Sequence, residues 1–152
     1  MNRLKKIIIF LLIIAVLLVS YFLINRDDKE ENLNLNTELK LESENKEIKE
    51  YNFSITNVET EPITITFKQK NDISIALKRT EGNEENITSK ALLYDIPERE
   101  MGDKITLKSN ETLAYPIKVD TKKLTPGKYE LIVNFSAENV EVIKQTIDIV
   151  IR

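Results

Sequence analysis

The sequence predicts an all-β domain, an antiparallel β-sandwich of roughly seven to nine strands, behind one N-terminal transmembrane helix. Three observations predict it. Apolar and polar residues alternate in short runs along residues 33–152. Turn signals such as Glu81-Gly82-Asn83, Ser109-Asn110-Glu111 and Thr125-Pro126-Gly127 separate those runs. An uncharged stretch, Ile7 to Ile24, stands apart at the N-terminus.

That stretch comes first in the chain. As a helix it is roughly 27 Å long at ~1.5 Å per residue, near the lower end of what spans a bilayer. Arg3, Lys5 and Lys6 precede it, whereas Arg26, Asp27, Asp28 and Lys29 follow it, so the basic excess lies on the N-terminal flank. The positive-inside rule then keeps the N-terminus in the cytoplasm and places residues 25–152 outside. A cleaved signal peptide needs a shorter apolar core and a small-residue cleavage site. The run instead ends Val19-Ser20-Tyr21-Phe22-Leu23-Ile24, without an Ala-x-Ala pattern, and the chain has no Cys for a lipid anchor. Residues 1–24 are therefore expected to form a signal-anchor helix, in a single-pass protein of the cell membrane. Residues 25–32 carry charge and no apolar side chain, so they read as a stalk with nothing to bury.

From residue 33 the period becomes two. Leu33, Leu35, Leu39 and Leu41 share one face of a half-buried strand. Tyr51, Phe53 and Ile55 make the next strand, ending near Asn57. Ile63, Ile65 and Phe67 follow, entered through Glu61-Pro62, and then Ile73, Ile75 and Leu77. Ala91-Leu92-Leu93-Tyr94 is compatible with a short strand or a single helical turn. Ile105 and Leu107 start another strand. Leu113, Tyr115, Ile117 and Val119 continue the pattern, with Pro116 among them. Proline cannot donate to a ladder, so that run is expected at a sheet edge or a bulge. Tyr129, Leu131, Val133 and Phe135 alternate most cleanly. Val140 and Val142, then Ile147, Ile149 and Ile151, close the chain. One apolar face per strand is the mark of sheets packed on one side and wet on the other.

Composition excludes much chemistry. With no Cys and no His, the chain can build neither a Ser-His-Asp triad nor a Cys-His pair. It also lacks the usual zinc and transition-metal ligands. The 152 residues carry a net charge of −3. Three of the 22 basic residues lie before the apolar run, so residues 25–152 hold 19 basic against 25 acidic, a net of −6. That balance disfavours nucleic acid as a partner. No catalytic, cofactor-binding or metal residue is expected, and no cofactor.

Asp95, Glu98, Glu100 and Asp103 crowd one loop, and oxygen-rich loops can bind Ca²⁺. Their spacing fits no EF-hand, and Arg99 opposes an ion, so a solvated loop is the expectation. Asn52, Asn86, Asn110 and Asn134 begin glycosylation sequons, expected as chance matches in an Asn-rich chain. Tyr51, Tyr115 and Tyr129 lie in phase with apolar neighbours, which assigns them to core packing.

Two stretches carry a resemblance. Phe53-Ser54-Ile55-Thr56-Asn57 followed by Glu61-Pro62-Ile63-Thr64-Ile65-Thr66-Phe67 resembles the opening of the BsuPI-type proteinase-inhibitor domain. Leu107 to Glu111 and Leu124-Thr125-Pro126-Gly127-Lys128-Tyr129-Glu130-Leu131 are similar to its later half. The match runs in order over about residues 50–137. It implies an Ig-like sandwich and inhibition of a proteinase, and it carries no reactive-site motif onto particular residues.

The expected function is a membrane-anchored, extracytoplasmic Ig-like module that binds a protein partner, in the inhibitor manner if the resemblance extends to activity. The other reading is a structural or assembly component of a bacterial cell-envelope complex. Thr80 to Lys104, the longest stretch outside clear alternation, is the expected contact region.

Overall fold

The computed structural model describes residues 33–68, 70, 72–81 and 90–152. The transmembrane helix expected over 1–24 and the stalk over 25–32 lie outside the described residues. Nine strands are described: β1 Leu35–Glu44, β2 Ile48–Asn57, β3 Ile63–Thr66, β4 Ile73–Arg79, β5 Leu92–Tyr94, β6 Lys104–Leu107, β7 Thr112–Asp120, β8 Gly127–Ala137 and β9 Val140–Ile151. All their pairings are antiparallel.

One sheet runs β1-β2-β7-β5 and another β4-β8-β9. Those are the orders A-B-E-D and C-F-G of a constant-type immunoglobulin sandwich. The pair β3-β6 is an addition to that plan. Asn139, in the tight turn between β8 and β9, anchors it. Its Oδ1 accepts from Thr66 N at 3.1 Å and its Nδ2 donates to Thr64 O at 2.7 Å.

Alternation puts one set of side chains inside. Phe53, Ile55, Tyr115, Ile117 and Val119 enter the core from the first sheet. Leu77, Leu131, Val133, Phe135 and Ile149 enter from the second. Four rings form a chain through the middle. Phe67 meets Phe135 edge-on at 6.4 Å, Phe135 lies 6.4 Å from Tyr115, and Tyr115 lies 6.1 Å from Phe53. Edge-on and tilted pairs suit the ring quadrupoles.

Tyr129 explains the Pro-Gly-x-Tyr spacing. Its ring is buried at the start of β8, and its hydroxyl donates to Thr125 O at 2.9 Å. This is a tyrosine corner, which pins the crossover from one sheet to the other. Gly127 takes φ +150°, and a side chain there would press on the Arg79 guanidinium at 3.1 Å.

Asn57 ends β2 fully buried and fully bonded. Its Nδ2 donates to Glu61 O at 2.9 Å and Leu107 O at 3.0 Å, and its Oδ1 accepts from Glu59 N at 2.8 Å. It thus shapes the turn into β3 and ties it to β6. Asn57→Ala is expected to cost about 1–3 kcal/mol, the range for stranding buried partners. Asn57→Asp is expected to cost more, because it sets a charge against two carbonyl oxygens. Urea midpoints measure both, and an Asp variant as stable as the wild type would contradict these bonds.

Three expectations need correction. Pro116 lies in β7, which has neighbours on both sides rather than being a sheet edge. It pairs with Asn52 of β2, while β5 faces only Ile117 to Val119. Asp120 N donates to Ala91 O, so the even-numbered residues of β7 face β5. Pro116 is the first position where that donor is missing, and the pairing with β5 stops beside it at Tyr94. Val142 is 71% exposed rather than core-facing. A bulge between Phe135 and Ala137 shifts the register of β9, so Ile143 turns inward instead. Leu41, at 40% exposure, lies beside the irregularity in β1 and is only loosely covered.

Candidate functional site

The expected contact region, Thr80 to Lys104, is not one loop. Residues 82–89 lie outside the described residues, and Ala91 and Leu92 are buried where β5 joins the sheet. The remaining irregular part is 95–103, between β5 and β6.

This loop leaves the sheet at Asp95 because Pro116 offers no further donor. At Arg99 it is tied to the segment before β4, where Arg99 N donates to Lys70 O at 3.3 Å. The Arg99 Nε donates to Asp72 Oδ2 at 3.0 Å, and the guanidinium carbon stacks 4.6 Å from the centre of the Phe67 ring. Tyr115 OH donates to the same carboxylate oxygen. The Asp72 side chain is fully buried and that of Arg99 is 13% exposed. A lone buried carboxylate would be very costly, so Arg99 and Tyr115 together make Asp72 tolerable here. Asp72 Oδ1 has no partner among the described residues.

Burial first, then the bond and charge of Asp72, push the Tyr115 phenol well above its ordinary value, while Arg99 opposes the shift. Tyr115 therefore stays protonated and keeps donating. Burial, with a smaller contribution from Glu44, also lifts Tyr51 to about 12.

The far end of the loop is stapled by its own backbone. Gly102, at φ +90°, donates its N–H to Phe67 O at 2.8 Å, and Phe67 N donates to Asp103 O at 2.9 Å. Asp103 Oδ2 accepts from Glu100 N at 2.8 Å. What remains outward is Tyr94, Asp95, Pro97, Glu98, Glu100 and Met101, the last 81% exposed. A short apolar and acidic crest is thus presented by a loop fastened at Arg99 and Gly102. That arrangement suits recognition, because little ordering is left to perform on binding.

The loop carboxylates do not converge. Glu98 pairs with Lys70 at 3.2 Å, and Asp103 caps its own turn. Among the described residues no group of three or more acids is placed to hold a metal ion. Of the sequon asparagines, Asn134 donates to Ser74 Oγ at 3.3 Å and Asn110 adopts φ +60° in a turn. Asn86 lies outside the described residues.

Sequence reasoning missed Asp72 and the pairing of Arg99 with it. Alternation identifies apolar faces, and it is silent about a polar side chain drawn inside by a partner 27 residues away. The available signal was the single Arg among four loop acids.

The fold is an Ig-ordered sandwich whose 95–103 loop is fastened at Arg99 and Gly102. Residues 33–140 match the BsuPI family, intracellular proteinase inhibitor, and the chain belongs to that family. No curated protein matches it. Among solved structures it is similar to a FixG-related protein from Vibrio parahaemolyticus. The identity there is 10% and the TM-score 0.42, over 76% of this chain and 94% of that one. It is also similar to a beta-glucosidase from Kluyveromyces marxianus, at 10% identity and TM-score 0.43, over 78% of this chain and 14% of that one. The GAE domain of GGA2p from Saccharomyces cerevisiae gives 11% and 0.36, over 80% and 93%. Nothing about activity follows from these likenesses.

Proposed function

We propose that the chain is a membrane-tethered, proteinase-inhibitor-like binding module whose contact surface is the 95–103 loop. Membership of the inhibitor family is the observation that carries this reading. The fastening of Arg99 into the core supports the choice of loop, since an inhibitor gains affinity from a contact segment already held in place. The absence of Cys and His leaves no common nucleophile–base pair, which favours binding over turnover. The tether rests on the apolar run Ile7 to Ile24 and its basic flank, which assign the N-terminus to the cytoplasm and residues 25–152 to the outside.

Two measurements test this. The full chain in detergent should inhibit a subtilisin-like serine proteinase at micromolar concentration. Exchanging Ile96-Pro97-Glu98 for three glycines should abolish inhibition and spare the β-rich circular dichroism spectrum. No inhibition of any proteinase in a broad panel would remove the inhibitor reading. For topology, Lys108→Cys introduces the chain's single thiol. A membrane-impermeant maleimide should label it on intact cells, and labelling only after lysis would reverse the orientation.

A further inference from the structure

The second sheet ends at β4. Among the described residues, β8 flanks it on one side and no strand lies on the other. The direction of its free groups follows from the ladder. Ser136 N donates to Asp72 O at 3.0 Å and Thr80 N donates to Lys128 O at 2.9 Å. Even-numbered residues therefore bond to β8, and the main-chain groups of Ile73, Ile75 and Leu77 point away from it. Such an edge is a template for an added strand.

Beside the Ile73 end of this edge lies a groove of about 640 Å³. It is lined by Asp72, Ile73, Ile75, Tyr94, Asp95 and Glu98, among others, and no basic side chain lines it among the described residues. The apolar walls suit the stem of one long cationic side chain. Its head would meet Asp95, and Glu98 in exchange for the exposed and weakly held pair with Lys70. Asp72 already holds Arg99 through Oδ2. Asp72 adds a second observation, because its buried Oδ1 is an acceptor left without a partner.

We infer that the β4 edge and this groove receive an extended segment of a protein partner. Its main chain adds a strand to β4, and its lysine or arginine side chain enters the groove toward Asp72, Asp95 and Glu98. This rests on the reading of the chain as a protein-binding module and names the chemistry of what it binds. Main-chain bonds supply affinity in strand addition, and the pocket beside the edge supplies specificity.

The test uses the full chain in zwitterionic detergent, with amide hydrogen exchange read across residues 72–80. The probes are the blocked peptides acetyl-Val-Thr-Lys-Val-Thr-amide and acetyl-Val-Thr-Gln-Val-Thr-amide. The lysine peptide should slow exchange at Ile73, Ile75 and Leu77 about ten-fold, and the glutamine peptide much less. The variant Asp95→Asn/Glu98→Gln, both exposed positions, should lose the preference for lysine without a change in melting temperature. Ile75→Pro deletes one outward donor and no bond to β8, so it should abolish protection by either peptide.

Equal protection by both peptides, or none, overturns the proposal. So does protection that rises with protein concentration alone, which would mean that a second copy occupies the edge. Inhibition of a proteinase without any change at β4 would remove this groove and leave the inhibitor reading standing. Lysine-selective protection in a chain that inhibits nothing would do the reverse.

Discussion

Arg99→Met is expected to lower stability by about 3–5 kcal/mol, the penalty for stranding one member of a buried charge pair. Domains of this size hold only ~5–15 kcal/mol in total, so the variant should unfold at much lower urea concentration. The cause is local. Asp72 would remain fully buried with only the Tyr115 hydroxyl as a partner. Loss of the stack on Phe67 adds to the cost. The triple change Asp72→Leu/Arg99→Met/Tyr115→Phe is expected to recover most of the loss, because an apolar replacement of the whole network leaves no group stranded. Urea unfolding followed by circular dichroism measures all three states. A single Arg99 variant within about 1 kcal/mol of wild type would show that the pair is not buried as described.

Phe135→Ala is expected to cost about 3–5 kcal/mol, the range for removing a buried ring and leaving a cavity. Phe135 touches both Phe67 and Tyr115, so the hole would open at the junction of the two large sheets and the β3–β6 pair. Val142→Ala supplies the contrast. Both residues are apolar and both belong to alternating runs, yet Val142 faces water. Its replacement should stay within about 0.5 kcal/mol, as for an ordinary surface change. If the two variants cost the same, the register of β8 on β9 would be wrong.

The strands were legible because alternation is dictated by the pleat. Phe53, Ile65, Leu77, Ile117 and Val133 each fall on the inner face that their spacing required. The failures share a cause. Val142 was assigned by counting in twos through a bulge, and a single inserted residue reverses every side chain beyond it. Pro116 signals a missing donor, which reads as an edge or a bulge, but the sequence does not say which neighbour that donor faces. Asp72 and Arg99 are held by partners far away in the chain, and Asn57 reaches Leu107 as well as its own turn. Local period carries no trace of such bonds. The loop at 95–103 was visible as irregular sequence. Its fastening was not, since that depends on where β4 and β7 place Asp72 and Tyr115. The anchor expected over residues 1–24 is a reading of composition, a long uncharged run, and lies outside the described residues.

The carboxylate of Asp72 also acts as a sentinel for correct assembly. It draws on Arg99, 27 residues away, and on Tyr115, 43 residues away, so both sheets must dock before its charge is answered. Until then its natural place is in water. A sandwich that closes with β4 slipped by one position would either bury that charge alone or turn Ile73 and Leu77 outward. Each wrong closure thereby loses the partners that offset the burial of Asp72 in the correct one. A core built only of interchangeable aliphatic side chains tolerates near-miss packings more readily. In this chain a single acid, costly in any interior position but its own, disfavours the near misses.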